Sequence, residues 1–349
     1  MTQPKILCIS LGSIGKRHLR NARTLLPDAK IAVYRQHTKA DDKVPEAANM
    51  MLSTMEEALA FEPDAVLISS PASEHVNNAT AFLKTDTPMF IEKPLAASSA
   101  DIGDFAKQCE TSKGFTMVGY VLRFLPALHT IKKLINDGML GDVHTARVEV
   151  GQYLPDWRPD SDYRTGVSAQ AKLGGGAMLE LSHEIDYASW LFGWPKSLQC
   201  SRATLSPLEI DVEDSAHILM EYENKHVAVQ LDFLQRTANM AMQIVGAKAT
   251  LRADLIKEEI KVFSPESPDG EMVETEKLPN GNDIYLRQFD FFFSKAIEGY
   301  KPIYAQSGSF AEWASVENAA SVLELVDLAK KASDTGTRQT VSLAKAKVA

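Results

Sequence analysis

An apolar run at residues 5–11 breaks into Gly12-Ser13-Ile14-Gly15 and gives way to a helix-period stretch reaching about Leu26. A strand that turns this tightly into a helix leaves few folds open, because it begins a strand–helix–strand series rather than a hairpin. The series continues along the first third of the chain. Short apolar runs stand at 31–34, at 65–69 (broken at Pro71), at 89–91 (ending in Glu92-Lys93-Pro94) and at 115–119. Helix-period stretches follow two of them, over about 73–83 and from about Ser98. Alternation at this spacing predicts a parallel sheet covered on both faces by helices.

The pattern changes after Arg123. A helix over about 125–136 leads through Gly138 and Gly141 to a strand at 144–153, and then to an irregular polar stretch, 154–172. A connection of that length tends to be functional. Gly174-Gly175-Gly176 opens a strongly helical segment to Phe192. Short strands fill 198–276, with 216–222 and 226–233 flanking a turn at Glu223-Asn224-Lys225, and helices over about 283–298 and 310–332 finish the chain. Consecutive strands joined by short turns predict an antiparallel sheet. With 349 residues to distribute, the expectation is a dinucleotide-binding domain at 1–122 and a substrate domain at 123–349, the final helices packing back on the first.

The chemistry-bearing residues gather at strand ends. Ser10-Leu11-Gly12-Ser13-Ile14-Gly15 matches G-x-G-x-x-G with serine in the first glycine position. Glycine lets the backbone approach a pyrophosphate, and the helix that follows offers free N–H groups and the positive end of its dipole. An enzyme for NAD usually places a carboxylate after the second strand, to hold the ribose 2′-hydroxyl. Here that position reads Tyr34-Arg35-Gln36-His37, so Arg35 is matched to a 2′-phosphate and NADP is favoured, with NAD possible. Ser70-Pro71 and His75 fall at the next strand end, where ligands of open α/β sheets bind. Glu92-Lys93-Pro94 follows one strand later. Lys93 is suited to exchanging a proton with a hydroxyl or carbonyl, or alternatively to pairing with Glu92. Glu180 and His183 are three apart, so on one helix they share a face, with Asp186 a further three along. A carboxylate that orients an imidazole makes a general base for a carbinol, whereas an ordinary amphipathic stripe would look the same. His183-Glu184 is not a zinc motif, because Tyr187 stands where a second histidine is required.

Bulk properties exclude several classes. A net charge of −9 argues against a nucleic-acid partner. The basic residues Lys16, Arg17 and Arg20 lie beside the candidate phosphate loop. Three scattered cysteines, Cys8, Cys109 and Cys200, form neither a metal motif nor a disulfide framework, so no metal is expected and a cytoplasmic setting fits. No stretch approaches the ~18 consecutive apolar residues of a membrane span, so no membrane association is expected.

Taken in order, these signals resemble the glucose-fructose oxidoreductase / inositol dehydrogenase (Gfo/Idh/MocA) family. The matching residues are Gly12-Ser13-Ile14-Gly15 with His18 after it, Ser70-Pro71 with His75, Glu92-Lys93-Pro94, Arg123-Phe124, and the triple-glycine segment with His183. The resemblance implies an α/β fold: an N-terminal Rossmann domain with a parallel sheet, then a C-terminal α+β domain with a large, mostly antiparallel sheet through which such proteins often form homo-oligomers. It implies hydride transfer between NAD(P) and a carbon of a sugar or cyclitol. Lys93 and His183 are then the catalytic acid/base pair, with Glu180 as the supporting carboxylate. Gly12, Ser13, Ile14, Gly15, Arg35, Ser70, Pro71, His75, Glu92, Lys93 and Arg123 would surround the cofactor. Two departures are Ser10 for glycine and a carboxylate-to-histidine spacing of three where many relatives have four.

The segment Gly151-Gln152-Tyr153-Leu154-Pro155-Asp156-Trp157-Arg158-Pro159, with Asp162-Tyr163-Arg164, resembles a subgroup associated with sugars of bacterial surface polysaccharides. Tyr153, Trp157 and Tyr163 are matched to stacking on a sugar or base, and Arg158 and Arg164 to holding a phosphate or carboxylate. A nucleotide-linked or acidic sugar follows as the substrate expectation. The alternatives are a folded loop with aromatic anchors, a cofactor-bound sensor or assembly partner without turnover, and a relative that uses transient oxidation for epimerisation or glycoside cleavage.

Overall fold

The computed structural model describes residues 3–36, 43–304 and 312–343. The chain divides into two compact units, Met1–Phe124 with Asn280–Ala320, and Leu125–Pro279 with Ser321–Ala349.

The first unit carries β1 (Lys5–Ile9), α1 (Ser13–Leu25), β2 (Lys30–Tyr34), β3 (Met50–Leu52), α2 (Met55–Ala60), β4 (Ala65–Ile68), α3 (His75–Leu83), β5 (Met89–Ile91), α4 (Phe105–Thr111) and β6 (Thr116–Val118). All six strands are parallel, in the order β3-β2-β1-β4-β5-β6. The order reverses between β1 and β4, which opens the ligand crevice of such sheets at their carboxyl ends. β1 and β4 are buried on both faces, Ile6 to Ile9 and Ala65 to Ile68 all being at most 2% exposed. Their sequences accordingly read as continuous apolar runs rather than alternations. On α1, Gly15, His18, Leu19, Ala22 and Leu25 turn inward at helical spacing.

β3 and α2 have no counterpart among the elements expected from the sequence. The missed helix spans six residues, too few for periodicity to register, although Thr54 and Glu57 close a capping box at its start. The helix expected from about Ser98 is also shorter, because Gly103 adopts φ +52° and separates a 3₁₀ turn (Ser99–Ile102) from α4.

The second unit contains α5 (Pro126–Asn136), β7 (Val143–Gly151), α6 (Ala177–Glu180), α7 (His183–Phe192), β8 (Ser197–Ala203), β9 (Ser215–Glu221), β10 (His226–Asp232), β11 (Asn239–Gly246), β12 (Thr250–Asp254), β13 (Glu259–Phe263) and β14 (Glu271–Val273). Its nine-stranded sheet runs β14-β13-β12-β11-β7-β10-β9-β8-β15, the last strand being β15 (Gln339–Thr340). Every pairing is antiparallel except β7 with β10. Strands here alternate. In β7, Ala146, Val148 and Val150 are buried while Arg147 is exposed, and α6 and α7 pack against β7, β9 and β10. The expected hairpin is present as β9 and β10, closed by Glu221 opposite His226.

After β14 the chain returns to the first unit as α8 (Asp283–Ala296). Phe289, Phe292 and Phe293 are fully buried, and Phe289 and Phe292 meet Phe90 at 4.7 and 5.8 Å between ring centroids. The last helix, α9 (Val316–Thr335), crosses the division between units. Its expected start at Phe310 lies outside the described residues. The first unit thus reaches Phe124 and takes in residues 280–320, because a helix this rich in phenylalanine has to bury more than one side.

One expected element is broken. The segment after the three glycines is not one helix: Leu181, at φ −102° and ψ 25°, ends α6, and α7 starts at His183. Glu180 and His183 therefore flank a break instead of sharing the face of a continuous helix. Among the described residues no helix is long and apolar enough to cross a membrane, and no group of three or more His, Cys, Asp and Glu could hold a metal ion.

Candidate active site

In the first unit most of the expected cofactor residues follow the carboxyl ends of β1, β4 and β5, with Arg35 after β2 and Arg123 beyond β6. Ser10 holds the left-handed conformation, φ +73°, that a glycine would take at the start of such a loop. Its N–H donates to the Tyr34 carbonyl at 2.9 Å, which fixes the turn against β2. Gly15 is required for packing: a Cβ there would stand 2.6 Å from the Ser10 carbonyl oxygen and 2.7 Å from Ser69 Oγ. A Cβ on Gly12 would point into open space. Among the described residues no side chain caps the start of α1, and no acidic residue lies in its first turn. The N–H groups of Ser13, Ile14 and Gly15 precede the first intrahelical bond, Lys16 N–H to the Gly12 carbonyl. Bare N–H groups, the positive end of the dipole and Lys16 beside them fit a pyrophosphate.

The left-handed Ser10 carries an expected outcome. A β-branched residue at that φ is strained by about 1–3 kcal/mol. Ser10→Val should therefore lower the thermal unfolding midpoint, while Ser10→Gly should leave it equal or higher, a comparison that calorimetry reads directly.

Arg35 follows β2, its backbone N–H bonded to the Leu52 carbonyl at 3.3 Å, and His37 beyond it lies outside the described residues. At the end of β4, Ser69 Oγ donates to the Ile9 carbonyl (3.1 Å) and Asn78 donates to Ser70 Oγ (3.0 Å). His75, expected to line the cofactor, is 2% exposed and lies between two carbonyl oxygens, Ser70 at 2.7 Å from Nε2 and Pro94 at 2.8 Å from Nδ1. Burial pulls its pKa below the ordinary imidazole value. The two carbonyls and the Glu92 carboxylate oppose that pull, and the Lys93 ammonium adds to it. The ring braces the ends of β4 and β5 from inside.

Glu92 is likewise buried, at 7% exposure. Its carboxylate engages His18 Nε2 and accepts the backbone N–H of Lys93 at 3.1 Å. Lys93 itself is half-buried and joined to Pro94 by a cis peptide bond. Arg123, expected at the cofactor, is 5% exposed and donates from Nη1 to the Trp313 carbonyl at 3.1 Å. Nearby, Val118 N–H bonds the Ala314 carbonyl, so this corner anchors the segment after α8 to β6.

In the second unit the three glycines shape the start of α6. Gly174 (φ +82°) and Gly176 (φ +106°) are left-handed, and a Cβ on Gly176 would strike the Glu213 carboxylate at 2.5 Å. Glu213, which sequence patterns did not single out, accepts Ala177 N–H on its carbonyl (3.0 Å) and Met178 N–H on Oε1 (3.1 Å). Arg202 faces its other oxygen at 3.6 Å. Glu180 accepts from Ser168 Oγ at 2.9 Å. Glu180 and His183 are both half-buried, while Asp186 is buried and does not extend their stripe.

The expected substrate residues divide into two groups. Trp157 donates its indole N–H to the Gln152 carbonyl (3.1 Å) and meets Phe233 edge-on at 5.2 Å, as an anchor of the loop. Arg164 is held by Asp162 at 2.8 Å and by Glu209 at 2.8 Å, and the guanidinium keeps the Asp162 carboxyl below the usual range. The Tyr163 hydroxyl accepts Glu209 N–H at 3.2 Å. These three residues order the loop, which the structure resolves into four 3₁₀ turns between Leu154 and Leu173. Arg158 is exposed. Tyr153 carries the guanidinium of Arg236 over its ring at 3.6 Å, which brings an exposed arginine that the sequence reading missed next to an expected stacking surface. Burial pushes the thiols of Cys8, Cys109 and Cys200 up to about 12, which disfavours their thiolate forms.

Comparison with known proteins places both halves of the chain. Residues 5–120 match the model of the GFO/IDH/MocA oxidoreductase family's NAD-binding Rossmann fold, and residues 128–252 match that of the GFO/IDH/MocA C-terminal domain. The myo-inositol 2-dehydrogenase of Thermotoga maritima is 24% identical over 326 residues, 88% of this chain and 92% of the relative. The chain spans less than two thirds of the length of several other curated relatives it matches, at 62%, 49% and 58%. A structure of levoglucosan dehydrogenase with NADH and levoglucosan superposes with a TM-score of 0.78 at 20% identity, covering 97% of this chain and 100% of that one. The WlbA dehydrogenase of Bordetella pertussis, with NADH and UDP-GlcNAcA, gives 0.73 at 19% identity, covering 98% and 100%. At such identities the superpositions establish the fold.

Proposed function

The chain belongs to the Gfo/Idh/MocA family of oxidoreductases, with its NAD-binding Rossmann fold, and we propose that it is an NAD(P)-dependent dehydrogenase acting on a carbon of a sugar or cyclitol. One observation carries this reading: the uncapped N-terminus of α1, turned out of β1 by a left-handed Ser10, opens at the same sheet edge from which β5 presents Lys93. The substrates in the names of the Thermotoga, levoglucosan and WlbA proteins support the polyol class.

When bound, the nicotinamide cofactor supplies a hydride acceptor or donor. The chain's own residues do the rest. Gly12, Ser13, Ile14 and Gly15 hold the pyrophosphate on backbone N–H groups, and Ser70-Pro71 line the dinucleotide. Lys93 and His183 exchange the proton of the reacting hydroxyl, so that the carbinol loses its O–H proton as its C–H hydride leaves, with the reverse in reduction. Glu180 supports His183. A panel of cyclitols, free sugars and nucleotide-linked sugars, each assayed with NAD and NADP for formation of reduced cofactor, tests the assignment. Tight cofactor binding without turnover on any polyol would leave the sensor or assembly role standing instead.

A nucleotide-linked or acidic sugar is the finer reading. It is supported by Arg158 and by Arg236 stacked on Tyr153, since Arg164 already has two carboxylate partners. NADP is favoured over NAD because Tyr34-Arg35-Gln36 supplies a guanidinium and no carboxylate after β2. Arg35→Ala should then weaken NADPH by about tenfold or more, the scale of one charge-assisted contact, and NADH by less than about twofold. Fluorescence titration measures both, and equal losses would reverse the assignment. The nine-stranded sheet, with Arg147, His217 and Arg252 exposed on it, is the proposed surface for a homo-oligomer, which the mass of the protein in solution tests. Three unpaired cysteines support a cytoplasmic setting.

A further inference from the structure

A buried histidine–carboxylate contact sits behind Lys93 with no place in the chemistry above. His18, on the inner face of α1, is 1% exposed. Its ring is boxed edge-on by Phe289 at 4.7 Å and Phe90 at 5.4 Å, with Tyr285 at 6.2 Å. Nε2 meets Glu92 Oε1. Nδ1 is buried with no partner among the described residues, so the ring proton belongs on Nε2, where it is donated to the carboxylate. Glu92's second oxygen accepts the N–H of Lys93. The carboxylate packs against Gly119, where any side chain would crowd it, a Cβ standing 3.2 Å away.

An apolar pair would fill this aromatic space at no cost in desolvation. A buried carboxylate whose partner is removed costs several kcal/mol. A buried imidazole–carboxylate contact that ends on the peptide of a candidate catalytic lysine is therefore more than filler. The other charged or titratable groups around Glu92 are Tyr285 of α8, His75 of α3, Lys93 itself, and Arg17, which stacks on Tyr285 at 4.5 Å. Beside these groups, His18 Nε2 is placed to donate to Oε1.

We propose that His18 is a positioning residue for Lys93, tying α1, whose N-terminus is the candidate phosphate cradle, through Glu92 to the peptide that carries the lysine. Cofactor seat and proton-exchanging group then move as one body. This role presupposes that Lys93 exchanges the proton.

The test uses the whole protein and compares His18→Leu, His18→Gln and Lys93→Ala. His18→Leu should lower kcat by about tenfold or more, since small misplacements of a reacting group carry penalties of that order, while the cofactor Kd stays within about twofold. His18→Gln, whose amide reaches the same oxygen, should return kcat to within about threefold of wild type. Nitrogen-15 spectra of the wild-type ring should show a protonated Nε2 and a bare Nδ1, a readout that remains if His18→Leu fails to fold. Full activity in folded His18→Leu, a His18→Gln as impaired as the leucine variant, or a proton on Nδ1 would each overturn the tether. Full activity in Lys93→Ala would instead overturn the catalytic assignment on which it rests.

Discussion

Replacing Lys93 with alanine should lower kcat by about 10²-fold or more and leave the cofactor dissociation constant nearly unchanged. The expectation follows from how the residue is held. Lys93 stands at the end of β5, with its own N–H fixed by Glu92, the Pro94 carbonyl facing the His75 ring and the His18 contact behind. Such support is costly in buried polar groups, since His18, His75 and Glu92 are all at most 7% exposed. A lysine that served only as a surface charge would need none of it. The pyrophosphate seat, by contrast, is built from backbone N–H groups of the β1–α1 turn, which the substitution does not touch. Loss of turnover with intact cofactor binding is therefore the signature of a group acting in the transition state. Weakened binding with an unchanged kcat would mean that Lys93 is a cofactor ligand only.

His183→Ala should cost a similar factor, about 10²–10⁴ for a positioned acid or base, again with cofactor affinity intact. His183 begins α7 just after the break at Leu181, and the preceding turn is pinned by Glu213 at Ala177 and Met178 and by Ser168 at Glu180. Because Glu180 and His183 do not lie on one continuous helix, Glu180→Gln is expected to cost less than His183→Ala. Steady-state kinetics on both variants separates the roles. A Glu180→Gln protein worse than His183→Ala would exchange them.

How much of this the sequence disclosed depended on the range of the interactions involved. Local signals survived intact. The Gly12–Gly15 turn, the burial of β1 and β4 and the β9–β10 hairpin all follow from neighbours in the chain, and each appears where its pattern stands. Even the departure at Ser10 is explained locally, since serine there keeps the backbone conformation that glycine would supply.

What sequence spacing hid was partnership between distant segments. Arg123 reads as a motif residue, but Trp313, nearly two hundred positions away, claims its guanidinium. Arg164 reads as an anion holder, yet Asp162 and Glu209 already face it. Glu213 seats α6 through its bond to Met178, thirty-five residues away, and no local pattern marks it. The return of α8 to the first unit left one legible sign, the run Phe289-Asp290-Phe291-Phe292-Phe293, apolar on too many sides for a helix with one covered face.

The most direct test of the central claim is transfer of deuterium from nicotinamide-labelled NADPH or NADH into an oxidised sugar or cyclitol, followed by mass spectrometry for the wild-type, Lys93→Ala and His183→Ala proteins. Label should reach one carbon of the product with the wild-type protein and fall by about 10²-fold or more in each variant. Undiminished transfer in both variants, or none with a wild-type protein saturated with cofactor across the polyol panel, would contradict it.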